Sequence, residues 1–219
     1  EKIKKQVTVF GASGLVGGLL VQELIKDPYI QKIHLVTRRT FSISNPKIVA
    51  FKIDFSNPEQ IEKSILNSTT VFSAIGTTMT KVGGDKVAYR KVDYDINLLI
   101  AKCCLKLKVK QFQLVSSGGA NVASNNFYLK LKGEIERDIF NLKLPSALII
   151  SPSLLLGKRK EFRFGERVAQ LLLPLFVFSK NYKPIKAHRV AKQMNAYAKM
   201  NLIGNHLISN AELFKEKSL

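Results

Sequence analysis

The chain has 219 residues, 46% hydrophobic and 9% aromatic, enough for one domain with a substantial core and no need of disulfide staples. Its formal net charge of +19 favours anionic ligands. The lysines nevertheless run through every segment, with no basic tail, arginine block or array of base-stacking aromatics, so a nucleic-acid role rests on charge alone.

Val7–Phe10 reads as a first strand, and Leu15–Lys26 as an amphipathic helix with Leu19, Leu20, Leu24 and Ile25 on one side. Between them runs Gly11-Ala12-Ser13-Gly14-Leu15-Val16-Gly17. A glycine-rich turn there brings bare backbone N–H groups to the positive end of a helix, which suits a pyrophosphate. The spacing is G-x-x-G-x-x-G, so an ordinary tight turn is the competing reading until later residues weigh in. Further strands read at Lys32–Val36, Lys47–Ile53, Thr70–Ala74, Gln111–Ser116 and Ala147–Ser151, and helices at Pro58–Leu66, Lys86–Leu107 and Asn126–Asn141. This alternation predicts an α/β fold of Rossmann type, a doubly wound parallel sheet in the order 3-2-1-4-5-6. Cys103 and Cys104 adjoin within a helical pattern and point apart, which makes them core filler rather than a metal clip or disulfide.

After residue 150 the character changes to a basic stretch (Lys158-Arg159-Lys160), an apolar helix at Val168–Phe178, a helix at His188–Met200 and a short strand at His206–Ser209. The tail is expected to form a small substrate-side lobe (151–219) on the core (1–150) of a single domain. The apolar helix would close over the substrate side of the cleft, or lie as core beneath the lobe. Glu1–Lys5 carries no apolar signal core, and Val168–Ser179 is too short to span a bilayer and contains Pro174. A soluble, cytoplasmic protein without a membrane span is the expectation.

Two constellations carry chemistry. Where a dinucleotide fold has an acidic residue for the ribose of NAD, this chain has Thr37-Arg38-Arg39, and an arginine there can pair with the 2′-phosphate of NADP. Asp54, followed by Phe55, comes directly after the third strand; it suits either the adenine amino group or a cap on the helix from Pro58. The small residues of Ala74-Ile75-Gly76-Thr77 would let backbone approach the ribose and nicotinamide. The second constellation is Ser116-Ser117, Tyr128 and Lys132. Tyr128 and Lys132 are i and i+4 on one helix face, so the ammonium is expected to draw the phenol's pKa down. A serine hydroxyl at the strand end would hold a carbonyl oxygen beside that proton donor.

Gly11–Gly17, the Ser-Ser strand end, Tyr128-x-x-x-Lys132 and Pro152-Ser153-Leu154-Leu155-Leu156-Gly157 together resemble a short-chain dehydrogenase/reductase of the atypical or extended type. More narrowly, Ser116–Ala120, Phe127–Glu136 and Arg159–Glu166 are similar to the TIP30 oxidoreductase subfamily and its bacterial relatives. The resemblance implies NADP(H), with Gly11–Gly17 as the pyrophosphate turn, Arg38 selecting NADP and Arg39 secondary. It implies Tyr128 as acid/base, Lys132 as its partner and ribose ligand, Ser117 (or Ser116) orienting the substrate, and Ser151-Pro152-Ser153 against the carboxamide. Two positions depart from the family pattern: Asp93 stands where extended members often carry Asn, and Ser151-Pro152 replaces the more usual Arg-Pro. The implied partner is a small carbonyl or alcohol, turned over by a monomer or homodimer, with no metal. The competing reading is an NADPH-binding sensor or regulator of a partner protein with little or no turnover.

Overall fold

The computed structural model describes residues 5–40, 43–157 and 182–215. Strands β1 (Lys5–Phe10), β2 (Ile30–Thr37), β3 (Ile48–Lys52), β4 (Thr70–Ser73), β5 (Gln111–Val115) and β6 (Ser146–Ser151) alternate with helices α1 (Leu15–Lys26), α2 (Pro58–Ile65) and α5 (Phe127–Asn141). Between β4 and β5 a continuous helical stretch comprises α3 (Lys86–Arg90), a π turn (Lys91–Asp95) and α4 (Ile96–Lys106). After β6 come β7 (Leu155–Leu156), β8 (Ile185–Lys186), α6 (Ala187–Ala198), β9 (Gly204–Ser209) and the short α7 (Asn210–Leu213).

The main sheet is parallel throughout, in the order β3-β2-β1-β4-β5-β6-β9. The sixfold order expected from the sequence is present, with one strand added at the far edge. Strand alternation builds a core on each face. Val9 and Ile150 pack with Leu20 and Leu24 of α1 and Val190 and Met194 of α6, whereas Phe10 and Phe112 pack with Ile61 of α2, Ile100 of α4 and Ile135 of α5. Every one of these side chains is at most 1% exposed.

In the described part of the tail, one strand and one helix join these layers. The strand read at His206–Ser209 begins at Gly204 and pairs with the whole of β6, and α6 packs on α1. Asp27, just beyond α1, fixes that packing by accepting from Lys199 Nζ at 2.7 Å and Asn195 Nδ2 at 2.8 Å. The basic stretch 158–160 and the apolar helix read at Val168–Phe178 lie outside the described residues. Among the described residues, no helix is long and apolar enough to cross a membrane.

Local signals explain the helix ends. Asn57 caps α2 by accepting from Gln60 N, with Pro58 at the first position, and Asn126 caps α5 by accepting from Leu129 N. At α1 the cap is Gly14, which supplies no side-chain bond, and the first turn holds no acidic residue. That end is left for an anion to complete.

Candidate active site

The glycine turn is shaped by contacts that only glycine allows. Gly11 has φ +83°, and a Cβ there would lie 2.6 Å from the Ala74 carbonyl carbon. A Cβ on Gly17 would meet the Gly11 oxygen at 2.2 Å. The turn therefore lies directly on the end of β4, so that Ala74 and Ile75 border it. Ala12, Val16 and Gly17 are buried, whereas Ser13 is exposed at the crest, and Leu15 touches Gly157 so closely that a Cβ on Gly157 would stand 2.9 Å from its side chain.

Beyond β2 an open cleft of about 460 Å³ is lined by Arg38, Lys52, Ile53, Asp54 and Gln60. Arg38 is exposed, with its guanidinium 5.9 Å from the centre of the Phe55 ring, and Phe55 rests edge-on against Phe10. Arg39 is exposed and does not line this cleft; its carbonyl accepts from Thr37 Oγ1 at 2.7 Å. Lys52 takes that place because Thr37 pairs with Lys52 in the β2–β3 register. Asp54 caps no helix: one carboxylate oxygen accepts from Ser56 N and Oγ, both at 2.8 Å, which holds the carboxyl below its ordinary pKa. Its position in the cleft leaves the adenine reading geometrically open.

The second constellation assembles at the carboxyl ends of β4, β5 and β6. Lys132 and Asp93 form a buried ion pair at 2.8 Å, with side chains 6% and 0% exposed. Asp93 also accepts from Thr77 N at 2.7 Å, so the β4 end, the π turn and α5 meet on one carboxylate. Tyr128 stands one turn before Lys132, with the ammonium 5.9 Å from its ring centre, and Ser117 lies near enough to its phenol to pull the pKa down. Tyr89, almost wholly buried, backs the phenol with an edge-on ring 6.4 Å away.

The two serines divide their work. Ser116 Oγ donates to the Glu136 carboxylate, whereas Ser117 faces Tyr128. Ser117 Oγ itself donates to the Gly118 carbonyl at 3.3 Å. Glu136 continues the Tyr128/Lys132 face by a further four residues, a spacing that is itself visible in the sequence. Burial raises its carboxyl, against the pull of Ser116 and Lys132. Ser151 is buried at the end of β6, and the Pro152 carbonyl accepts from Gly118 N at 2.7 Å. Ser153 is committed to the fold, with its N–H donating to Asn210 Oδ1 at 2.9 Å and its hydroxyl to the Lys183 carbonyl.

The expected lowering of the Tyr128 pKa does not hold. Burial pushes the phenol up; Lys132 and Ser117 pull it down, but Asp93 and Glu136 push against them, and the net direction is upward. The ammonium alone does not outweigh the burial of the phenol. Cys103 and Cys104 are free and buried, with the Cys103 thiol pushed up to about 11 by burial and Glu62.

A glycine turn against β4, an uncapped helix start and a polar cluster at the same strand ends form a dinucleotide cradle, and the NAD(P)H-binding family pattern matches residues 11–151. The chain belongs to the NAD(P)H-binding family. It is 38% identical over 154 residues to "Protein FMP52, mitochondrial" of Debaryomyces hansenii, covering 70% of this chain and 68% of that one. The Saccharomyces cerevisiae protein of that name is 34% identical over 169 residues, covering 75% of this chain and 73% of that one. Among solved structures, MoeE5 in complex with UDP-glucose and NAD superposes with a TM-score of 0.72 at 14% identity, over 93% of this chain and 75% of that one. Vestitone reductase from alfalfa (Medicago sativa) gives 0.67 at 17% identity, over 94% and 77%. These neighbours share the fold of NAD(P)-binding reductases and epimerases. The relatives' names overturn the cytoplasmic expectation, since FMP52 proteins of Debaryomyces, Candida and Saccharomyces are all named mitochondrial. An internal fold and a thiol pair carry no address, which is why the sequence argument failed there.

Proposed function

We propose that this NAD(P)H-binding protein is an NADP(H)-dependent oxidoreductase that reduces a small carbonyl compound or oxidises the corresponding alcohol, with Tyr128 as acid/base. The observation that carries the reading is the convergence of Tyr128, Lys132 and Ser117 at the strand ends beside the glycine turn. Gly11–Gly17 and the start of α1 would hold the pyrophosphate, Arg38 and Lys52 the 2′-phosphate, and Ala74–Thr77 the ribose side. When bound, the cofactor supplies a hydride to the carbonyl carbon. Ser117 holds the carbonyl oxygen by a hydrogen bond, and Tyr128 gives that oxygen its phenolic proton. Lys132 presents its remaining N–H groups to the phenol and ribose while Asp93 balances its charge. A phenol held in its protonated form suits the reductive direction.

The likeness to the TIP30 subfamily rests on Ser116–Ala120 and Phe127–Glu136 and agrees with this assignment of the serines and of Tyr128. The test is NADPH consumption by the purified chain against a panel of aldehydes, ketones and quinones, alongside Tyr128→Phe. Turnover lost in the variant with cofactor affinity retained is the expected result. Tight NADPH binding with no turnover anywhere in the panel would overturn the enzyme reading in favour of a cofactor-sensing binder.

A further inference from the structure

Asp93 is among the most deeply buried charged groups of the described chain, and its side chain is fully withdrawn from solvent. An ionised carboxylate so placed is costly unless every lone pair has work to do. One oxygen meets the Lys132 ammonium at 2.8 Å, and the other accepts from Thr77 N at 2.7 Å. Asp93 lies in the π turn, beside two further contacts: Arg90, before the turn, donates to Glu134 at 2.7 Å, and Tyr94, within it, donates to Asp138. Both of those partners lie on α5, so the segment is clamped to the helix that carries Tyr128 and Lys132. Asn97, one turn on, donates to the Asp93 carbonyl at 3.0 Å and fixes the backbone from behind.

We propose that Asp93 is a positioning residue for the acid/base pair: its carboxylate binds the Lys132 ammonium on one oxygen and the Thr77 backbone on the other, and so keeps the Lys132 charge balanced beside Tyr128. Its functional meaning rests on the reading of Tyr128 as acid/base, but the arrangement itself is independent of turnover. Two consequences follow. The ammonium is held by its charge against a carboxylate that the Thr77 N–H fixes in place. The Lys132–Asp93–Tyr128 group is also neutral overall, so removing a proton from it creates net charge in a buried site. Among the described residues, the other groups facing Tyr128 and Lys132 are Glu136 on α5, Tyr89 on α3, Ser116 and Ser117 after β5, and Ser151 on β6. Of these described groups Glu136 is the charged one, and it adds to the negative side.

The test is a direct titration of Lys132 and Tyr128 by NMR in chains with isotope-labelled lysine and tyrosine, assigned with Lys132→Met and Tyr128→Phe. In the unaltered chain Lys132 should keep its proton above the pH at which the exposed lysines lose theirs. In Asp93→Asn, which keeps an acceptor for Thr77 N, the group starts one charge more positive. The first proton to leave the Lys132–Tyr128 pair should then come off at least about one pH unit lower, whichever residue releases it. A folded Asp93→Asn chain with that first step unmoved would overturn the proposal. If the variant fails to fold, the unaltered chain still decides, because a Lys132 that titrates with or before the exposed lysines overturns it equally. Neither measurement uses a substrate, so loss of this inference and loss of the enzyme reading are separable outcomes.

Discussion

The two ends of the site recognise charge by opposite means. At the β1–β3 end the groups are backbone N–H donors and solvent-exposed cations, with Arg38 and Lys52 standing at the rim of an open cleft. At the β4–β6 end a lysine and an aspartate are withdrawn together, and a tyrosine, a glutamate and two serines are fitted around them. Exposed cations are screened by salt and lose little when one is removed, because water replaces the contact. A buried pair loses far more when one partner goes, since the other is stranded. The first region therefore suits a ligand that must come and go, and the second suits chemistry that needs fixed geometry.

The largest effect that would sharpen this contrast is on turnover. Tyr128→Phe should lower carbonyl reduction by about 10²–10⁴-fold while leaving NADPH affinity within a few-fold, measured by steady-state rates and fluorescence titration. Next comes the glycine turn, where Gly17→Ala places a Cβ 2.2 Å from the Gly11 oxygen. Cofactor binding should disappear or the chain should unfold, readable by calorimetry with and without NADPH. Arg38→Ala should weaken NADPH binding roughly tenfold or more, leave NADH binding nearly unchanged, and lose its effect as salt is raised. Lys52→Ala should act in the same direction but less, and Arg39→Ala less again. Equal affinity of the unaltered chain for the two cofactors would break this side of the comparison.

The smallest effect lies away from the site. Asp27 is held below its ordinary pKa, against burial, by Lys199, Asn195 and the Tyr29 N–H. A carboxyl lowered in the folded state contributes stability that is complete above its unfolded value and is lost as pH falls through the folded one. Asp27→Asn should lower the Tm by a few degrees at neutral pH and less in acid, with cofactor affinity unmoved. A matching loss of NADPH affinity would show that the α1–α6 packing and the cradle are coupled.

The fold was largely legible because its signals are local. Apolar runs of strand length alternate with amphipathic helices, and Asn57-Pro58 and Asn126 mark helix starts. The glycine turn could be read because Gly11 and Gly17 are needed for contacts that spacing alone suggests. Tyr128 and Lys132 were legible as one face of one helix. What escaped depends on register and on distant segments. Lys52 enters the Arg38 cleft only through its pairing with Thr37, and Ser153 is claimed by Asn210, 57 residues away. The sign of the Tyr128 shift escaped for a related reason, because burial among distant segments outweighs the ammonium one turn away. The π turn has no sequence signature of its own in an otherwise regular helical stretch. The strand at His206–Ser209 was legible, but its place beside β6 was not, because pairing between distant segments leaves no local signal.

That π turn makes the site sensitive to chain length rather than to composition. A π turn accommodates one residue more than the α-helical path it replaces. Deleting a single residue between Lys91 and Asp95 would let the segment relax into an unbroken α-helix, locally better bonded than before. The deletion removes that extra residue, so Arg90 on one side and Asn97 on the other keep their phase, and only the residues within the turn, Asp93 and Tyr94 among them, are redirected. Tyr94 would then lose its reach to Asp138 on α5. The helix would gain regularity, and the carboxylate would turn away from Lys132. A chain shortened by one residue here should be a sound fold with a dismantled site.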